Sequence, residues 1–128
     1  MVLESNFHIQ IKNSLLRPIT FNIKKFDYLN KFFKYTKNKK DIKIQKEQCI
    51  ELMNKSIHCI DEIKSYKDNK DNKDNNVYIN NIINKYFINN KYDSNFVLSN
   101  IYTLYDSMNF IINNVDFNNN EIIYTSTW

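Results

Sequence analysis

Residues 7–24 read FHIQIKNSLLRPITFNIK, and two short alternating runs within this stretch decide the fold class. In the first run Phe7, Ile9 and Ile11 fall on one side, and His8, Gln10 and Lys12 on the other. In the second, Ile19, Phe21 and Ile23 alternate with Thr20, Asn22 and Lys24. A period of two is what a half-buried strand requires, because successive side chains leave opposite faces of the backbone. With Asn13 to Pro18 as the reversal, residues 7–23 read as a β-hairpin, although its turn lacks an Asn-Gly pair.

Beyond residue 44 the period lengthens to that of a helix. Cys49, Met53, Ser56, Ile60 and Ile63 form one stripe over 46–66, flanked by Ile50 and Ile57, and Glu47, Glu51, Lys55, Asp61, Glu62 and Lys64 supply its wet face. Lys67 to Asn76 reads KDNKDNKDNN, a low-complexity linker without an apolar side chain. Its Asp and Lys do not make a calcium loop, for the Gly and closing Glu of such a loop are missing. Residues 77–88 fit a helix through Ile79, Ile82, Ile83, Tyr86 and Phe87, while Val77, Ile79 and Ile82 also fit the start of a strand. Asp93 and Ser94 offer a cap for a further helix over 95–109, with Val97, Ile101, Leu104, Tyr105 and Met108 on its apolar face. Phe110 to Phe117 and Glu121 to Trp128, joined by three Asn, read as a closing strand pair. The expectation is one α/β (α+β) domain over 1–128, an antiparallel sheet with helices packed on it.

Residues 25–43 leave both structure and role open. Phe26, Tyr28, Phe32, Phe33 and Tyr35 are set among seven lysines, from Lys25 to Lys43. Aromatic rings interleaved with cations can stack on and neutralise a single-stranded nucleic acid, for which Lys24, Lys25, Lys37, Lys39 and Lys40 are the candidate contacts. The favoured alternative packs the rings into the core and leaves the lysines in water.

Composition bounds the function further. At 128 residues there is room for one core, and 42% hydrophobic content supports it. The chain has no Gly and no Ala but 23 Asn, 19 Ile and 17 Lys, the signature of an AT-rich genome. A net charge of +4 is therefore weak support for a polyanionic partner. Without Gly neither common phosphate-cradling loop can be built, which argues against a nucleotide-dependent enzyme. Cys49 and Cys59 cannot complete a zinc set or a disulfide framework, and read as buried free thiols. His58 beside Cys59 is no catalytic pair, since neighbouring helical side chains point about 100° apart. No catalytic residue, metal or cofactor is expected. The N-terminus carries no apolar run of signal length, and nothing approaches the roughly 20 apolar residues of a membrane span. The expected location is cytoplasmic.

A family resemblance runs along nearly the whole chain. Asn6-Phe7-His8-Ile9-Gln10-Ile11 and Pro18-Ile19-Thr20-Phe21, then Gln48 to Glu62 ending Ile60-Asp61-Glu62, resemble the first hairpin and helix of the sedlin family. That family comprises longin-like small subunits of the TRAPP vesicle-tethering complex. Asn75-Asn76-Val77-Tyr78-Ile79, Ile101-Tyr102-Thr103-Leu104-Tyr105, Phe110-Ile111-Ile112-Asn113, Glu121-Ile122 and Trp128 resemble its later segments. Asn114 departs from the family's Pro, residues 80–95 are too few for all its central strands, and members usually continue past the position of Trp128. Lys85-Tyr86-Phe87 and Ile101-Tyr102 also resemble the sigma chains of clathrin adaptors, which would make 77–88 a helix. The resemblance implies a longin/profilin-like sheet and a non-enzymatic subunit of a trafficking complex in endoplasmic reticulum to Golgi transport. Its partners would be other subunits and, through the assembled complex, a Rab-type GTPase; it would sit peripherally at those membranes. The interface candidates are Tyr102, Tyr105, Asp61 and Glu62, because a Tyr beyond the core stripe suits an interface.

Overall fold

The structure is a computed structural model, which describes residues 4–11, 19–36, 41–68, 76–87 and 93–127. In chain order the elements are β1 (Glu4–Ile11), β2 (Ile19–Lys24), α1 (Asp27–Phe32), β3 (Ile42–Lys43), α2 (Lys46–Asp68), α3 (Asn76–Tyr86), α4 (Ser94–Asn114) and β4 (Asn120–Thr127). The four strands form one antiparallel sheet in the order β2-β1-β4-β3. It is an α+β fold.

The N-terminal hairpin forms as the alternation requires. Phe7 stands opposite Phe21 and Ile9 opposite Ile19, while the other flank of β1 takes β4, with Phe7 opposite Tyr124. Ser5, Phe7, Ile9, Ile23, Ile122, Tyr124 and Ser126 are buried on one face of the sheet. The opposite face is polar: His8 is hydrogen-bonded to the hydroxyls of Thr20 (2.9 Å) and Thr125 (2.8 Å), and Asn22 donates to Asn6. One face thus meets helices and the other water, the usual economy of an antiparallel sheet. The reversal expected at Asn13 to Pro18 lies outside the described residues.

Segment 25–43 contributes the short helix α1 and the edge strand β3. Phe26, Leu29 and Phe33 are buried, and Tyr28, Phe32 and Tyr35 pack against the same core. The end of α1 is closed by Lys34 N–H to the Lys31 carbonyl and Tyr35 N–H to the Asn30 carbonyl. These bonds satisfy carbonyls left without helical partners, in the pattern that usually places Gly at the left-handed position. Here Lys34 takes that position, at φ 53°.

α2 runs through Asp68 and α3 begins at Asn76, so helices claim both ends of the expected linker; the remainder lies outside the described residues. The buried stripe of α2 is Cys49, Leu52, Ser56, Cys59, Ile60 and Ile63. Met53 is only half-buried and Ile50 is exposed, so the stripe is rotated slightly from the one the spacing predicts. Segment 77–88, which fits helix or strand by pattern, is helical through Tyr86. Ile79, Ile82, Ile83 and Phe87 are buried there, and Tyr66 of α2 stacks on Tyr78 at 4.1 Å. Asp93 caps α4, its carboxylate accepting from the Asn95 N–H at 3.1 Å.

The closing strand pair expected over Phe110 to Trp128 does not form. Phe110 to Asn114 continue α4, and β4 pairs with β1 and β3 instead of with the segment before it. Ile111 extends the buried stripe Val97-Ile101-Leu104-Met108 by one more helical step. Asn113 and Asn114 donate to the carbonyls of Asn109 and Phe110, four residues back. Asp116 then turns the chain, accepting from the Asn118 N–H and the Asn119 side chain. A short apolar run does not distinguish helix from strand by period alone, and here the preceding helix captures it. Among the described residues no helix is long and apolar enough to cross a membrane.

Candidate interaction surface

Exposed apolar side chains gather where α4 meets β2, an outer strand of the sheet among the described residues. Spacing places Phe96, Asn100, Thr103 and Phe110 along one flank of α4. That flank faces β2: Asn100 donates to the Lys24 carbonyl at 2.8 Å, and the ring of Phe110 lies 5.4 Å from that of Phe21. Ile19, at the start of β2, is 59% exposed and Phe110 42%. Phe21 is half-buried between them, and Phe96 is exposed farther along the flank.

Charge separates α4 from α2, the other long helix. Asp106 is the sole charged residue among the 21 of α4, whereas the 23 residues of α2 carry Lys46, Glu47, Glu51, Lys55, Asp61, Glu62, Lys64, Lys67 and Asp68. A helix whose outer face meets only water is expected to look like α2. Depletion of charge with enrichment of aromatics distinguishes the centres of protein interfaces from other surface.

The residues expected from sequence fall in different places. Tyr102 is exposed on the crest of α4, among Asp106, Asn109 and Asn113, whereas Tyr105 is half-buried against the core. Asp61 is exposed on α2. Glu62 is engaged within the chain: Lys85 of α3 donates to its Oε1 at 3.0 Å. That bond, with a second from the Tyr86 hydroxyl, holds the carboxyl below its ordinary range, and Lys85 is raised in return. The pair fastens α3 to α2. Lys24 and Lys25 are exposed at the end of β2, while Lys37, Lys39 and Lys40 lie outside the described residues. Burial of Phe26 and Phe33 withdraws two of the rings a stacking platform would use. The sequence alone does not single out Ile19 or Phe110. The first reads as an inward position of its strand, and the second reads as part of a closing strand.

Both thiols are in the core. Burial pushes Cys49 and Cys59 up to about 12, far from a nucleophilic thiolate at neutral pH. His58 points to solvent beside buried Cys59. A cavity of about 320 Å³ opens between the start of α2 and the turn into β4, lined in part by Lys43, Gln45, Lys46, Glu47, Phe117 and Glu121. Lys43 and Glu121, both in its lining, form an ion pair at 3.4 Å. Among the described residues no group of three His, Cys, Asp or Glu is placed to hold a metal ion. Comparison of the chain with protein-family models, with curated proteins and with solved structures yields no match.

Proposed function

We propose that this protein is a non-enzymatic subunit of a multiprotein assembly, working through the surface shared by β2 and α4. The observation that carries this reading is the contrast between the two long helices: α4 bears one charge and exposes Phe96, Tyr102 and Phe110, while α2 bears nine charges. Exposed aromatics on a nearly uncharged helix gain most when a partner removes them from water, at about 25 cal/mol per Å² of apolar surface covered.

Within that reading, the sequence resemblance to sedlin-type TRAPP subunits and to sigma-type adaptor chains supports a place in vesicle tethering between endoplasmic reticulum and Golgi. The partners would be other subunits and, through them, a Rab-type GTPase. Affinity purification of the tagged full chain from its native cells tests both levels. The expected result is a stoichiometric set of trafficking subunits, and Tyr102→Ala should weaken their retention by about 2 kcal/mol if that ring is an anchor. Recovery of ribonucleoproteins, with submicromolar oligonucleotide binding at about 0.15 M salt, would favour a nucleic-acid role for the exposed Lys24 and Lys25 instead.

A further inference from the structure

We propose that the free edge of β2 accepts an extended segment of a partner protein by strand addition, with apolar side chains over Ile19, Phe21 and Phe110 and an acidic residue meeting Lys24 and Lys25. This rests on the subunit reading above and names the chemistry of the partner at one part of the surface.

The backbone sets the possibility. Among the described residues β2 is an outer strand of the sheet, and the opposite outer strand, β3, is only two residues long. Shortness protects β3, since a two-residue edge offers little to pair with. β2 spans six residues, and among them only Lys24, the last, is charged. Edges that must stay free usually carry a mid-strand Lys, a Pro or a bulge; the interior of β2 has Thr20 and Asn22 on its outer face and none of these.

The side chains set the partner's pattern. On the helix side of β2 burial falls steadily along the strand, from Ile23 at 1% exposed, through half-buried Phe21, to Ile19 at 59%. Phe110 borders Phe21, so the uncovered end is an apolar ledge with a helix behind it. An added strand directs alternate side chains onto such a ledge and the others to solvent, so the segment must alternate apolar with polar residues.

Charge selects among strands. Lys24 and Lys25 are both exposed, and the ion pairs among the described residues, Lys43–Glu121 and Lys85–Glu62, involve neither. Glu4 stands opposite Lys24 in register without forming an ion pair. A second copy centred on Phe21 would match apolar to apolar. It would also bring two lysines from each copy to the seam, with no acid on β2 to meet them. A segment with Asp or Glu at the matching end gains attraction where the copy gains none.

The test uses the full chain in its native cells, with a photo-crosslinking benzoylphenylalanine in place of Ile19. A companion variant carries Lys24→Glu and Lys25→Glu. Crosslinks should map to one segment of a co-purifying protein, alternating apolar and polar, with Asp or Glu about four to six residues from the crosslinked position, the strand span from Ile19 to Lys24–Lys25. The charge-reversed variant should keep its melting temperature and lose at least tenfold of that segment's recovery. Crosslinking to a second copy, to a helix or to a segment without an acid overturns the proposal, as does unchanged recovery after charge reversal. An intact complex without a crosslink at position 19 overturns strand addition and leaves the subunit reading standing. A chain that purifies alone overturns both.

Discussion

The ring of Phe110 lies 5.4 Å from that of Phe21, inclined at 59°, and so fastens the flank of α4 to the free edge of the sheet. Neither ring is fully buried. The contact closes one side of the core while leaving apolar surface for another chain, so its two roles separate by magnitude.

Phe110→Ala is expected to cost about 1–2 kcal/mol, from the lost ring pair together with the partly buried side chain. Leu104→Ala, six residues earlier at a site with no exposure, should cost about 2–5 kcal/mol through lost burial and a cavity. Urea unfolding of both variants checks the difference. Equal losses would place Phe110 in the core and remove it from the interface.

Tyr124→Phe tests the polar knot within the core. The buried Tyr124 hydroxyl donates to Asn30 Oδ1 and is hydrogen-bonded to Ser5 Oγ at 2.9 Å. Burial raises its pKa, so it remains a protonated donor. Phenylalanine would leave both partners short of a bond inside the protein, and Asn30 Nδ2 already has none. The expected loss is about 1–3 kcal/mol by chemical denaturation.

The close of α1 predicts a gain. Lys34 holds a left-handed backbone at φ 53°, which costs a residue with a Cβ about 1–2 kcal/mol. Lys34→Gly removes that cost at the smaller expense of a more flexible unfolded chain, and should raise stability by several tenths of a kcal/mol. Lys34→Val should lower it by about 1 kcal/mol or more. Thermal melts of the two variants should move in opposite directions.

Cys49 and Cys59 impose a pH dependence. Both are held near 12 in the folded chain, while an unfolded thiol titrates near 8.5. Between those values the unfolded chain binds fewer protons than the folded one, so stability falls as pH rises. Their contribution is fully present below about pH 8.5 and is lost toward pH 12, at a slope of up to ~1.4 kcal/mol per pH unit for each thiol. A Cys49→Ser/Cys59→Ser chain should show a shallower alkaline decline in melting temperature. A thiol-reactive dye should label the native protein only at the rate of its opening.

Local pattern carried the hairpin, α2, the cap and apolar stripe of α4, and the burial of both thiols. Each depends on residues within one element. Position in the sheet was not legible in the same way: that β4 lies between β1 and β3 depends on pairings across most of the chain, which no period records. Phe110 shows the cost. Its run of apolar residues fitted a strand, and only the helix before it, continuing through Ile111, decides otherwise. The exposure of Ile19 was hidden for a related reason, since alternation marks the inward side of a strand but not which strand lies outermost. Glu62 was legible as polar surface, yet Lys85, its partner, stands on another helix.

A subunit working through β2 and α4 is tested most directly by the native mass of the tagged chain, measured by size exclusion with light scattering after gentle lysis. The protein should elute far above its own 15.5 kDa, together with stoichiometric partners. The Ile19→Lys/Phe110→Lys chain should run at 15.5 kDa, folded and without them. A wild-type chain found alone at 15.5 kDa, or a variant that keeps every partner, would contradict a subunit working through β2 and α4.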